Sequence, residues 1–294
     1  MYTTLISAPL LQTLIASGQP YKVFDCSFEL MQPGQGDVQY QQAHLPGAVR
    51  ADLDRHLSAA KGAVDAASGG RHPLPSRENF AAWLSSVGFD NSMQAVVYDR
   101  QGANYCGRLW WMLKWAGHEA VAVLDGGWQA WQTAGGATRS AAQEASETSG
   151  NPPNASQHFV LGPARVALID TKTVSSNLGR PVQSLIDARG APRFRGETEP
   201  LDPIAGHIPG ALNRPFSQNL DDQGYFKPAP VLRAEFDALL ARRDPASVVH
   251  HCGSGVSAVP NLLAMEVAGL GRTALYAGSW SEWCNTPGLP CAQG

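Results

Sequence analysis

A cysteine that follows two histidines and opens a glycine-rich turn is the part of this sequence best suited to chemistry. Residues 248–258 read VVHHCGSGVSA, and an apolar stretch of helical composition, NLLAMEVAGL, comes next. A buried strand would deliver Cys252 to its carboxyl end, and Gly253 and Gly255 would let backbone amides point inward at the amino end of a helix. Such a setting lowers a thiol pKa from about 8.5 towards neutrality, which predicts a thiolate nucleophile. The commoner role of a free cysteine is that of a small buried hydrophobic residue.

The sequence contains two copies of one pattern. At an offset of 152 residues, 96–131 aligns with 248–283, and HLPGA at 44–48 pairs upstream with HIPGA at 207–211. Self-similarity in the same order over most of each half indicates two copies of a fold. Strand-like and helical segments alternate in each copy, so we predict an α/β protein of two tandem domains. Each should be a mainly parallel sheet flanked by helices, with ligands at the carboxyl ends of the strands.

The predicted domains are 1–137, a non-catalytic copy, and 161–294, which carries the cysteine. Between them, 138–160 is rich in Ser, Ala, Gly and Pro without an apolar period, which predicts a surface linker. A second aperiodic stretch, SAAKGAVDAASGGRHPLPS at 58–76, interrupts the first copy. Long loops in compact domains are often functional, so we expect this insertion to be ordered and to lie near the other copy's site.

Composition narrows the classes of partner. A net charge of −3 gives no overall basic footprint for nucleic acid. The five cysteines are widely spaced without a CxxC pair, which is typical of free thiols in a reducing compartment. The amino terminus has no basic leader, and no apolar run approaches the roughly 20 residues of a membrane span. We predict a cytoplasmic protein that binds neither nucleic acid nor membrane.

The two copies differ where chemistry would occur. Arg100 stands in the first copy where the second has Cys252, and Asp99 stands where it has His251. Arginine is an odd replacement for a cysteine that only fills a core, because a buried charge needs a partner. The difference favours a functional role for Cys252.

Together with the paired endings GGWQAW and GSWSEW, these motifs resemble the two-domain sulfurtransferases, the rhodanese and 3-mercaptopyruvate sulfurtransferase family. The resemblance covers nearly the whole chain and implies two rhodanese-like domains without a metal or organic cofactor. It also implies a catalytic Cys252 that carries sulfur as a persulfide. The loop CGSGVSA is most similar to the mercaptopyruvate branch, in which CGSGV is followed by Thr and Ala. The loop residues expected to bind substrate are Gly253, Gly255, Val256 and Ser257.

Charge in and around the loop bears on the sulfur donor. The thiosulfate branch has basic residues in this loop, and here there are none; a dianion needs local cations. The resemblance implies that Arg193, in APRF, binds a mercaptopyruvate carboxylate. Arg189 and Arg195 are weaker candidates, since a surface arginine is usually just solvated. A second arginine commonly follows the EP pair in this family, but Leu201 stands here. That departure keeps a thiosulfate-preferring rhodanese as an alternative.

The resemblance further implies a relay of Ser254, His72 and Asp54 beside the thiol, with polarisation of the donor as its role. The alternative is ordinary loop polarity. His250 and His251 could tune the thiol, although alternation along a strand would place only one of them on its side.

The predicted function is transfer of a sulfane sulfur from 3-mercaptopyruvate, or thiosulfate, to an acceptor through a Cys252 persulfide. Expected acceptors are a thiol such as thioredoxin or glutathione, or cyanide. A non-catalytic persulfide carrier is a second possibility. A cysteine phosphatase would need an arginine six positions after the cysteine, where this chain has Ala258, so that function is disfavoured.

Overall fold

The structure is a computed structural model that describes residues 1–147 and 158–294. Residues 148–157 of the predicted linker lie outside the described residues. Within the described part of the chain, no helix has the length and apolar composition needed to cross a membrane.

By its contacts, the chain divides into two compact units. The first consists of 1–58 and 75–165, and the second of 59–74 and 166–294. Residues 59–74 of the insertion therefore belong to the second unit, the copy that carries Cys252. The predicted domain limits themselves stay a prediction.

The first unit is a five-stranded parallel sheet with helices. Its strands follow the order β1-β5-β4-β2-β3. Every residue of β4 is buried, as expected for a parallel strand that is covered on both faces. The elements of this unit are β1 (Leu5–Ile6), α1 (Ala8–Ala16), β2 (Tyr21–Asp25), α2 (Gln35–Gln42), β3 (Val49–Arg50), α3 (Arg77–Ser86), β4 (Gln94–Tyr98), α4 (Cys106–Trp115), β5 (Val121–Leu124), α5 (Gly127–Thr133) and α6 (Ala141–Glu147).

Helix α6 lies inside the predicted linker, and a local signal explains its start. The backbone N–H of Gln143 donates to Ser140 Oγ at 3.3 Å, and that of Ser140 donates to Gln143 Oε1 at 2.8 Å. This reciprocal pair is a capping box, which satisfies donors at the start of a helix. The described part of the segment is therefore more regular than its composition indicates.

The second unit repeats the parallel sheet in the order β6-β10-β9-β7-β8. Asp187 pairs with His251 in the register of β7 and β9, so these two strands end together at one edge of the sheet. The α/β class with two parallel sheets is thus confirmed. The elements of this unit are β6 (Ala167–Leu168), α7 (Thr171–Ser176), β7 (Ser184–Asp187), α8 (Ala191–Arg195), β8 (Leu212–Asn213), α9 (Ala229–Leu240), β9 (Val248–His251), α10 (Val259–Val267), β10 (Ala274–Leu275) and α11 (Ser279–Trp283), with short 3-10 turns at Phe216–Asn219 and Pro245–Ser247.

The insertion at 59–74 contains no helix or strand and packs on the turn that precedes α11. The backbone N–H of Arg71 donates to Ser281 Oγ at 2.9 Å. Gly70 has φ +87°, and a Cβ there would lie 2.6 Å from the carbonyl oxygen of Gly278. Only glycine permits this approach of one backbone to another, and it fixes the position of the residues that follow in the insertion.

Candidate active site

Cys252 follows the last residue of β9 and is 2% exposed. Helix α10 begins only at Val259, so the thiol belongs to a loop before the helix and not to its first turn. The loop is fixed from the side of α11, because the N–H groups of Trp280 and Ser281 donate to the carbonyl oxygens of Cys252 (3.0 Å) and Gly253 (2.9 Å). The cysteine thus sits at the carboxyl edge of the sheet, as the sequence predicts.

The loop after Cys252 presents unused donors. Within the described residues, no protein acceptor receives a hydrogen bond from the backbone N–H groups of Gly253, Ser254, Val256 or Ser257. Gly255 adopts φ +73°, and a Cβ there would lie 2.2 Å from the carbonyl oxygen of Ala277. A glycine is therefore required for the turn, and buried unsatisfied amides favour an anionic ligand, because such donors are costly to leave unpaired.

Ser279 holds the backbone of the nucleophile. Its hydroxyl accepts a hydrogen bond from the N–H of Cys252 at 3.0 Å and donates to the carbonyl oxygen of Tyr276 at 3.0 Å. Ser279 has φ +55°, a left-handed conformation that is uncommon for a residue with a Cβ. Gly127 occupies the corresponding position in the first copy with φ +56°. The second copy therefore has a strained backbone at Ser279, the residue whose hydroxyl accepts from the N–H of Cys252.

Two guanidinium groups lie over the loop. A Cβ at Gly253 would be 3.1 Å from Arg71 Nη2 and 3.5 Å from Arg193 Nη1. Arg193 comes from α8, as the sequence predicts, and Arg71 comes from the insertion. Glu199 Oε1 accepts from Arg193 Nη2 at 2.7 Å, and Asp202 Oδ1 accepts from Arg71 Nη1 at 2.6 Å. The structure therefore brings a second cation to the loop from a segment distant in sequence from Leu201.

Ser254 and His72 meet beside the loop. Ser254 Oγ and His72 Nδ1 are 2.7 Å apart, and both residues are 7% exposed. Asp54, the third member of the predicted relay, is an exposed residue of the first unit, and its backbone N–H donates to Asp52. The structure thus brings together the serine and the histidine of the relay, while the role of Asp54 stays a prediction.

Comparisons with known proteins show the family of the chain. The rhodanese-like domain profile matches residues 7–134 and 170–286. The chain belongs to the rhodanese-like family. It is 44% identical over 92% of its length to a Pseudomonas aeruginosa protein named "Probable 3-mercaptopyruvate sulfurtransferase", of which 92% is covered.

A plant relative and a solved structure show the same likeness. An Arabidopsis thaliana protein named "Thiosulfate/3-mercaptopyruvate sulfurtransferase 1, mitochondrial" is 35% identical over 92% of this chain and 73% of its own. The structure titled "3-mercaptopyruvate sulfurtransferase from Leishmania major" has a TM-score of 0.78 at 29% identity and covers 96% of this chain and 74% of its own. The predicted family is confirmed.

An arginine paired with a buried aspartate occupies equivalent places in both rhodanese-like units, but it comes from different positions in the sequence. In the first unit, Arg100 Nη1 donates to Asp25 Oδ2 at 3.1 Å, and its guanidinium lies 4.3 Å from the Trp128 ring. In the second, Arg189 Nη2 donates to Asp187 Oδ2 at 2.7 Å, and its guanidinium lies 4.9 Å from the ring of Trp280, the counterpart of Trp128.

This arrangement corrects one sequence interpretation. Arg189 is 4% exposed and is not a solvated surface arginine. Burial opposes its charge, but Asp187 and Glu199 raise the pKa of Arg189 above its ordinary value. The charge of Arg100 likewise has a partner, since its guanidinium donates to Asp25. In the first unit, the side chain at the cysteine position supplies a cation that the second unit takes from Arg189.

The two histidines before the cysteine do not supply a positive charge to it. His250 is completely buried, its Nε2 lies 3.2 Å from the sulfur of Met265, and burial lowers its pKa from 6.5 to about 3. Burial also lowers the pKa of His251, although Asp187 opposes the shift. Both imidazoles are therefore neutral at neutral pH, and they fill the core behind the site.

Sequence reasoning missed Arg71, Asp202 and Ser279. Arg71 directly precedes His72, so the insertion that carries the relay histidine was the available signal for it. Asp202 follows Leu201, the point at which the motif departs from the family pattern. Nothing in the sequence indicated that a serine in the GSWSEW motif would bind the backbone of Cys252.

Proposed function

We propose that this protein takes a sulfur atom from 3-mercaptopyruvate onto Cys252 and passes it to a thiol acceptor. The sulfurtransferase class predicted from the sequence is confirmed by the family and by relatives named as sulfurtransferases that align over most of the chain. The observation that carries the donor assignment is the pair of guanidinium groups, Arg71 and Arg193, beside the unpaired amides of the loop.

Donor binding comes first. The donor carboxylate lies between Arg71 and Arg193, because planar guanidinium groups pair with carboxylates through parallel charge-assisted hydrogen bonds. The donor sulfur then points to Cys252, and the donor ketone faces Ser254. His72, 2.7 Å from Ser254 Oγ, orients that hydroxyl towards the ketone oxygen.

In the first half-reaction, the Cys252 thiolate attacks the donor sulfur, and the carbon–sulfur bond breaks. The electron pair of that bond moves to carbon as the enolate of pyruvate, which a hydrogen bond from Ser254 to the ketone oxygen stabilises. The proton of the donor thiol ends on the methylene carbon, and pyruvate leaves. Cys252 keeps the sulfur as a persulfide, with the loop amides of Gly253 and Val256 available to its anion.

In the second half-reaction, an acceptor removes the outer sulfur and regenerates the thiolate. A dithiol such as thioredoxin gives a protein disulfide and hydrogen sulfide, a monothiol such as glutathione gives its persulfide, and cyanide gives thiocyanate. Each product balances the transferred sulfur atom without another redox partner. The five free cysteines support a reducing, cytoplasmic location.

The direct test is intact-protein mass after exposure to 3-mercaptopyruvate and removal of excess donor. Wild-type protein should gain the mass of one sulfur atom, and cyanide should remove it. The Cys252→Ser variant should gain none, while the control Cys291→Ser, which alters an exposed cysteine, should behave like the wild type. A mass gain that survives in Cys252→Ser would refute the assignment of the nucleophile.

The role of Ser254 is tested by a comparison of donors. Thiosulfate has no ketone to polarise, so Ser254→Ala should lower kcat for 3-mercaptopyruvate by roughly 100-fold and leave kcat for thiosulfate nearly unchanged. Equal losses with both donors would show that the hydroxyl only supports the loop.

Thiosulfate is the second candidate donor. The uncharged loop by itself disfavours a dianion, but Arg71 and Arg193 supply cations beside the loop. Cations that the loop lacks are supplied by other segments of the second unit. The ratio of kcat/KM for the two donors decides between them, and a ratio in favour of thiosulfate would overturn the proposed donor. Transfer to a cognate protein without turnover of small thiols would indicate a persulfide carrier.

A further inference from the structure

A buried carboxylate bridges the two arginines over the loop. Asp202 Oδ1 accepts from Arg71 Nη1 at 2.6 Å, and its Oδ2 accepts from Arg193 Nη2 at 3.3 Å. The Asp202 side chain is only 4% exposed. The backbone N–H of Asp202 donates to Glu199 Oε1 at 3.2 Å, so hydrogen bonds fix both the backbone and the side chain of this residue. A donor anion that reaches these arginines must therefore share them with Asp202.

The charges around the loop balance. Three cations beside the loop form ion pairs with three carboxylates; the cations are Arg71, Arg189 and Arg193. Those carboxylates are Asp187, Glu199 and Asp202.

A cavity of about 460 Å³ lies beside Arg71 and Leu201, and the positive and negative charges of its lining are also equal in number. Its lining adds one further charge of each sign, Lys61 and Glu282. The ion pairs beside the loop and the charged residues of the adjoining cavity thus contribute no net positive charge.

We propose that Asp202 determines donor charge selectivity, favouring donors with one negative charge over dianionic donors. This inference rests on the proposed sulfurtransferase function. The physical reason is that a fixed negative charge repels a dianion about twice as strongly as a monoanion at the same place. Hydrogen bonds from Arg71 and Arg193 remain available to either donor, so Asp202 changes selectivity more than it changes recognition of the anion.

A pair of donors with the same reacting group isolates charge. Thiosulfate is a dianion that leaves as sulfite, and methanethiosulfonate is a monoanion that leaves as methanesulfinate. In both, the cysteine thiolate attacks the outer sulfur and the sulfur–sulfur bond breaks, with its electron pair kept by the sulfinyl leaving group. The difference between the two leaving groups is the same for every variant, so a change in the kcat/KM ratio between the wild type and a variant reports the electrostatic preference of the subsite.

The test variant is Asp202→Asn, which removes the charge and keeps an oxygen that can accept from Arg71. We expect the kcat/KM ratio of thiosulfate to methanethiosulfonate to rise about tenfold, which corresponds to about 1.4 kcal/mol. The matched control is Glu197→Gln, which removes a carboxylate of the same segment that is exposed and paired with Arg195. The control should leave the ratio unchanged.

A second variant keeps Asp202 and adds a charge. Leu201→Lys places a cation on the wall of the same cavity and should shift the ratio in the same direction. It decides the question if Asp202→Asn does not fold, as monitored by circular dichroism and thermal unfolding. A folded variant with an unchanged ratio, or equal changes for both donors, would overturn the role of Asp202. Failure of the wild-type protein to form a Cys252 persulfide with any donor would instead overturn the proposed function.

Discussion

Replacement of Arg71 and Arg193 by glutamine separates carboxylate recognition from all other effects on sulfur transfer. Both guanidinium groups lie within 3.7 Å of one point beside Gly253, so one carboxylate can contact both. Their side chains are 19% and 22% exposed, which makes an ion pair there only partly screened by water. A hydrogen bond to a charged group contributes about 1.5 to 3 kcal/mol, so loss of either arginine should lower kcat/KM for 3-mercaptopyruvate by roughly 30-fold.

The informative comparison uses mercaptoacetone, which keeps the thiol and the ketone and lacks the carboxylate. Its turnover should be lower than that of 3-mercaptopyruvate in the wild type and should change by less than about threefold in Arg71→Gln or Arg193→Gln. The matched control is Arg195→Gln, which alters an exposed arginine of the same helix paired with Glu197. That control should leave kcat/KM for both donors unchanged.

The assay is steady-state pyruvate or acetone release at fixed acceptor concentration, with persulfide formation measured separately by mass. If mercaptoacetone loses as much activity as 3-mercaptopyruvate in the arginine variants, the guanidinium groups support the loop and do not bind a carboxylate. If only Arg193→Gln discriminates between the donors, Arg71 is not part of the clamp.

Three further outcomes follow from contacts in the second unit. Ser279→Gly should lower kcat at least about tenfold, because it removes the hydroxyl that accepts from the N–H of Cys252. Urea unfolding should show a stability change within about 1 kcal/mol, because glycine relieves the strain of the positive φ. A fall in stability with unchanged kcat would contradict this. The pKa of His250 is about 3 in the folded chain, against an ordinary value of 6.5. Between these pH values the unfolded chain binds a proton that the folded chain does not. The contribution of His250 to the free energy of unfolding therefore falls as pH drops from about 6.5 towards about 3. The slope is about 1.4 kcal/mol per pH unit, and His250→Leu should reduce the measured slope by that amount, whereas an identical slope would show that other groups account for it. Gly70→Ala should displace the insertion from the Gly278 carbonyl and raise KM for 3-mercaptopyruvate at least about fivefold, with unchanged KM as the contrary result.

Much of the fold was accessible from sequence because its signals are local or repeated. The alternation of apolar β-branched segments with helical segments predicts parallel sheets, and the internal duplication predicts two of them. The start of α6 at the Ser140 capping box was not recognised, since the surrounding composition is that of a linker. The position of Cys252 at a strand end also follows from local pattern alone, whereas the requirement for glycine at position 255 comes from the close approach of the Ala277 carbonyl oxygen.

The surroundings of the cysteine could not be obtained in the same way. Arg71 is separated from Gly253 by more than half the chain, and the only signal for it in the sequence was indirect, its position directly before His72 in the insertion. The interpretation of Arg189 as solvated failed for a related reason, because burial of a charge depends on partners such as Asp187 and the face of Trp280, which only folding brings together.

The sequence by itself determined the class of protein, because the duplicated motifs and the loop at Cys252 are sufficient for that conclusion. The assignment of Cys252 as the nucleophile and of the first copy as non-catalytic stays a prediction from residue type and order at Cys252 and Arg100. Tertiary structure alone decided the electrostatics of the donor subsite. Asp202 joins Arg71 and Arg193 at distances of 2.6 and 3.3 Å, and the strength of a Coulomb interaction depends on such separations and on exclusion of water. Neither quantity is encoded in the spacing of residues along the chain.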